Sequence, residues 1–224
     1  MCSSFSVLTK MALAIVPGEG GKISPESLTQ VLESAGAGVV HHVQPAVLSL
    51  TQATEAGTVY QREEILTLTK IAKAHNLYVH MDGARFANAL VSLGCSPVAM
   101  TWQVGVDVLS FGATKNGVMA AEAVLFFHPN PNQDNQYLGK NFPFHRKRGG
   151  HLFSKMRFLS AQLVAYLEHD LWLKNAHHAN QMATRLAEGL QPIPGVKILF
   201  PVEANEIFVE FAPNILQALQ AEGF

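Results

Sequence analysis

The sequence predicts an α/β fold built on a mostly parallel sheet. Through the first half, short apolar runs rich in β-branched residues alternate with stretches of helical period. Turns of small residues separate them. The chain has 224 residues and is 48% apolar, enough to bury a large core. Strands joined through helices give parallel pairing with crossover connections.

Residues 12–16 read as a first strand, followed by the turn Pro17-Gly18-Glu19-Gly20-Gly21. Ser24 then supplies an N-cap and Pro25 the first helical position of a helix that runs to about residue 35 and stops at Gly36. Residues 43–51 form the next strand. Residues 61–75 are helical, with Ile65, Leu66, Leu68, Ile71 and Ala72 on one side. A strand over 77–81, a short helix over 84–93 ended by Gly94, and strands over 106–111 and 121–127 complete the first lobe. Residues 128–150 are polar and rich in Pro, Asn and Gly, which reads as a connecting loop. A long helical stretch over 152–187, with a break near Asn175, precedes two strands at 196–200 and 206–211 and a terminal helix or turn. The domain organisation is a large lobe over residues 1–130, a connector over 131–150 and part of a smaller α+β lobe over 151–224.

Composition narrows the function classes. A formal net charge of −1 with 15% charged residues leaves no electrostatic footprint for nucleic acid or an anionic membrane. The run His145-Arg146-Lys147-Arg148 reads either as a solvated turn or as an anion site. Cys2 and Cys95 are the two cysteines, without the spacing of a disulfide framework or a zinc site, so a reducing, cytoplasmic setting is expected. The apolar run over 11–16 is shorter than a signal-peptide core, and no run is long enough to span a membrane.

In open parallel sheets, ligands bind beyond the carboxyl ends of the strands. Two segments fall there: Asp82-Gly83-Ala84-Arg85 and Gly112-Ala113-Thr114-Lys115. Asp82 at the end of a buried strand needs a partner. It either caps the following helix or pairs with the protonated ring nitrogen of a cofactor. Lys115 is either a surface lysine in a Gly/Asn turn or an amine held in a desolvated pocket, made nucleophilic by the cost of its charge and able to form a Schiff base. The P-loop pattern is absent. Taken together, an aspartate and a lysine at two strand ends match what a pyridinium electron sink requires.

Val79-His80-Met81-Asp82-Gly83-Ala84-Arg85-Phe86 and Ser110-Phe111-Gly112-Ala113-Thr114-Lys115-Asn116-Gly117 resemble two segments of the threonine aldolases, closest to the bacterial low-specificity form. Pro17-Gly18-Glu19-Gly20-Gly21-Lys22 and Leu50-Thr51-Gln52-Ala53-Thr54-Glu55-Ala56-Gly57-Thr58 are also similar. The resemblance covers the chain from about residue 13 to 224. It implies the fold type I architecture of pyridoxal 5'-phosphate (PLP) enzymes: a large α/β domain, a smaller C-terminal α+β domain, and a homodimer or homotetramer. It implies cleavage of L-threonine, allo-threonine and related β-hydroxy-α-amino acids to glycine and an aldehyde. Carried across by position, Lys115 would bond covalently to the cofactor as the catalytic lysine. Asp82 would pair with the pyridine nitrogen, Ala84 would pack on a ring face, and Arg85 would take the substrate carboxylate in a planar two-pronged grip. No metal is implied. His80 points away from Met81 by strand alternation and reads as a structural histidine or a site residue. Ser110 and Thr114 are candidate donors to the cofactor. Arg146, Lys147, Arg148, Lys155 and Arg157 fall where the family places its phosphate contacts, and the sequence does not choose among them.

The family's upstream segment, with a Gly-Thr phosphate loop, a ring-stacking histidine and an early serine, has no counterpart before Leu13. Its second carboxylate-binding arginine would lie beyond Phe224. The expectation is a chain truncated at both ends. An inactive fragment and a PLP-dependent β-eliminating amino-acid lyase are the alternative readings.

Overall fold

The computed structural model describes residues 11–127 and 138–224. The stretch over 12–16 forms no strand; Leu13 and Ile15 are exposed, with no ladder to pair into. The first ladder is β1 (Gly18–Glu19) antiparallel to β2 (Lys22–Ile23). Helix α1 (Pro25–Ser34) starts at the predicted cap: Ser24 Oγ accepts the Ser27 N–H at 3.1 Å, and Pro25 takes the first turn, where its missing N–H costs nothing.

The chain then alternates strand and helix: β3 (Val47–Thr51), α2 (Arg62–Ala74), β4 (Tyr78–Gly83), α3 (Phe86–Leu93), β5 (Val108–Gly112) and β6 (Glu122–Phe126). Helix α2 begins with a reciprocal capping box between Gln61 and Glu64. Helix α3 ends at Gly94, whose left-handed conformation (φ 61°) suits the terminus of a helix. The sheet order is β3-β4-β5-β6, parallel through β5 and antiparallel at β6. Asp107 ties the start of β4 to that of β5. Its Oδ2 accepts the Val79 N–H at 2.6 Å and pairs with Lys73.

One face of the sheet carries Leu48, Leu50, Val79, Met81, Leu109 and Phe111, all buried against the helices. Burial of side chains of this size, on the order of 2 kcal/mol each, is what orients the sheet. The other face is more open, with Val47 and Tyr78 about half exposed.

The described part of the stretch read as a connecting loop contains a short helix, α4 (Phe142–Arg148). The long C-terminal helical stretch is two helices, α5 (Arg157–Leu167) and α6 (Leu171–Leu190). The break lies at His169 and Asp170, both at positive φ, and not near Asn175. It turns the chain so that Tyr166 and Trp172 both reach Phe111, with ring centroids 6.1 and 5.6 Å away. Asn175 instead sits within α6 and donates to the Asn116 carbonyl at 3.0 Å. A two-stranded antiparallel ribbon, β7 (Val196–Ile198) and β8 (Val209–Phe211), and helix α7 (Pro213–Ala221) finish the chain.

Candidate active site

Strand alternation and parallel register bring the chemistry-bearing residues to one end and one face of the sheet. Thr51 pairs with Asp82, and Asp82 pairs with Ser110. Asp82 is half-buried where β4 ends. Its Oδ1 accepts the Ala84 N–H at 3.0 Å, and among the described residues it has no ion-pair partner. The capping reading therefore accounts for one of its oxygens and leaves its charge uncompensated.

His80 lies two residues earlier on the same face. Its ring bridges three strands: Nδ1 meets Ser49 Oγ and Nε2 meets Ser110 Oγ, each at 2.9 Å. Burial holds the His80 pKa below the usual imidazole value, against the pull of the nearby Asp82 carboxylate. A neutral ring donates from one nitrogen and accepts at the other, which this row satisfies. His80 therefore does not neutralise Asp82.

Lys115 follows β5 in a single 3-10 turn (Thr114–Asn116) and is exposed, not enclosed in a desolvated pocket. Its turn is clamped from two sides. Glu122 accepts the N–H groups of Ala113 and Thr114 at 3.2 and 3.3 Å. Asn116 donates to the Tyr166 hydroxyl and the Trp172 carbonyl. Gly117, at φ 101°, lies where a Cβ would come within 2.9 Å of Asn175 Nδ2. Ala84 rides directly over Gly112, where an added Cβ would come 2.6 Å from the Ala84 Cα.

Arg85 is the residue whose placement sequence reasoning did not anticipate. Its side chain is 13% exposed and paired with Glu206, which is 17% exposed. Glu55 approaches Arg85 Nη1 at 3.6 Å. Burial pushes the Glu206 carboxyl above the usual range and Glu55 adds to that, while Arg85 and Lys115 pull the other way. Lys115, Arg85 and Glu206 thus share one electrostatic neighbourhood. Glu206 falls in the segment between β7 and β8, not inside the predicted strand, and its side chain reaches Arg85.

Of the basic residues in the second half, Arg146, Lys147 and Arg148 share α4, Lys155 precedes α5, and Arg157 opens α5 with its guanidinium over the Phe158 ring. Among the described residues no group of three His, Cys, Asp or Glu side chains could hold a metal ion, and no helix is long and apolar enough to cross a membrane.

The family model described as "Beta-eliminating lyase" matches residues 3–214. The chain belongs to the beta-eliminating lyase family. Within the family's reach, it is 44% identical over 220 residues to a low specificity L-threonine aldolase of Pseudomonas aeruginosa, covering 98% of this chain and 60% of the relative. A low specificity L-threonine aldolase of a Pseudomonas species is also 44% identical, over 92% of this chain and 57% of that protein. This family member therefore spans about 60% of the length of those relatives. Among solved structures, threonine aldolase from Leishmania major superposes with a TM-score of 0.81 at 26% identity, over 94% of this chain and 59% of that one. The α/β architecture read from the sequence is the architecture of these proteins.

Proposed function

We propose that this chain carries the PLP-holding part of a threonine-aldolase-type lyase site. The observation that carries the reading is Asp82: a half-buried carboxylate at a strand end with no cation beside it among the described residues. A carboxylate partly withdrawn from water gains from a ligand that supplies the opposite charge. The protonated nitrogen of a pyridine ring fits that requirement, and neutral His80 leaves the requirement in place. When bound, PLP supplies an electron sink for the bond-breaking step at an amino acid's Cα.

The chain's own residues divide the remaining work. Asp82 holds the proton on the ring nitrogen. Lys115, exposed and without a hydrogen bond or ion pair among the described residues, has its amine available for the cofactor. Ala84, braced on Gly112, presents a small surface against which a flat ring packs. Arg85 takes the carboxylate of the amino acid. The Pseudomonas relatives support L-threonine and related β-hydroxy-α-amino acids as substrates, with glycine and an aldehyde as products. A homodimer or homotetramer and a cytoplasmic setting belong to the same reading and rest on resemblance.

The family's name keeps β-elimination as a second reading. Absorption spectra of the purified chain with added PLP, beside Lys115→Ala, test cofactor attachment. A visible band absent from the variant supports it; identical spectra from both would sink it. Product analysis then separates the reactions, with glycine plus aldehyde expected and pyruvate plus ammonia overturning the aldolase assignment.

A further inference from the structure

Arg85 is not presented as an open two-pronged donor. Its Nη2 pairs with Glu206 Oε1, and its Nη1 is buried with no hydrogen bond, 3.6 Å from the Glu55 carboxylate. Glu206 Oε2 and the neighbouring Asn205 Oδ1 are likewise buried without hydrogen bonds. Three such atoms in adjoining side chains are more than a settled buried pair leaves, since buried polar atoms are nearly always satisfied. Arg–carboxylate pairs are frequently bidentate; Glu206 meets one prong of this fork, and the other has only the longer contact with Glu55.

We propose that Glu206 is an internal competitor for Arg85: it occupies the guanidinium in the place of a ligand carboxylate, so a carboxylate ligand binds by displacing it. The proposal rests on the reading of Arg85 as the ligand-binding arginine. Two further features support it. Glu206 lies in an irregular segment between β7 and β8, so its side chain can leave without breaking a ladder. Glu55, 3.6 Å from Arg85 Nη1, also brings a second carboxylate to the same guanidinium, so the two acids crowd one cation. Glu206 thereby acts as a positioning and specificity residue. It keeps Arg85 in register when no ligand is bound and raises the threshold that a carboxylate must exceed to bind.

The test is calorimetric titration of the full chain, with PLP present, using glycine as the probe. Wild type, Glu206→Gln and Arg85→Ala are compared. Removing the competing charge raises the fraction of Arg85 open to ligand, so E206Q binds glycine about tenfold more tightly. A residue with a merely structural role would weaken binding when changed, not tighten it. Glycine affinity in E206Q equal to or below that of wild type, absence of binding in both included, overturns the proposal. Glycine binding that survives R85A overturns the reading of Arg85 and the proposal with it. If E206Q does not fold, the competition is read in the unmodified chain by NMR. The Arg85 side-chain N–H and the Glu206 carboxyl carbon must shift together on glycine addition. An Arg85 signal that moves while Glu206 stays fixed overturns displacement.

Discussion

Asn116 Nδ2 donates to the Tyr166 hydroxyl at 2.6 Å, so the residue after Lys115 is fixed to the C-terminal helices. Asn116→Ala leaves the buried phenol without that partner. A loss of about 1–3 kcal/mol in urea denaturation is expected. Asn116→Asp should lose a similar amount, because a carboxylate cannot donate to the Trp172 carbonyl. A stability equal to that of wild type in both variants would mean the clamp is dispensable.

Gly112 should tolerate no side chain. A Cβ there would fall 2.6 Å from the Ala84 Cα, a backbone atom that no side-chain rotation can move away. Gly112→Ala is expected to cost about 1–3 kcal/mol through overpacking. Gly94→Ala provides the contrast: nothing lies within 4 Å, and only its left-handed backbone is strained, at roughly 1 kcal/mol. Thermal melts that rank G94A below G112A would contradict this account.

His80 gives stability a dependence on pH. Its folded-state pKa is lowered, chiefly by burial, so the unfolded chain binds the proton more readily. The contribution is complete above the ordinary histidine pKa of about 6.5 and is lost as pH falls toward the lower folded value. His80→Gln should flatten that slope. Urea midpoints measured across this range check it; an unchanged slope in the variant would assign the dependence elsewhere.

Glu206 acts in the opposite direction. Its folded pKa is raised, chiefly by burial, so the folded chain holds the proton more readily. Its contribution is complete below the ordinary glutamate pKa of about 4.3 and declines as pH rises through the raised folded value. Glu206→Gln should remove the decline. Denaturation midpoints on the acid side of neutrality distinguish the two residues, since their slopes carry opposite signs.

Local signals in the sequence located much of this molecule. Ser24 and Pro25 started a helix, Gly94 ended one, and strand ends singled out Asp82 and Lys115, all through short-range chemistry. Alternation also placed His80 opposite buried Met81. Long-range packing was less legible. The sequence places the helix break near Asn175, yet that side chain is spent on the Asn116 carbonyl and the break falls at His169 and Asp170. The apolar run over 12–16 looked like a strand, but hydrophobicity alone supplies no pairing partner. Glu206 was read as the start of a strand. Nothing near it in sequence signals that it pairs with Arg85, because the two residues lie far apart along the chain.

The corner at His169 and Asp170 has a kinetic consequence. The bonds that clamp the Lys115 turn join residues 50 and 56 positions apart, from Asn116 to Tyr166 and Trp172. Contacts this distant in sequence close late, after the entropy of the intervening loop has been spent. The sheet and its aspartate can form from the first half of the chain. The lysine reaches its final position only when the last helices dock, so a nascent or locally opened chain holds Asp82 in place before its amine is fixed.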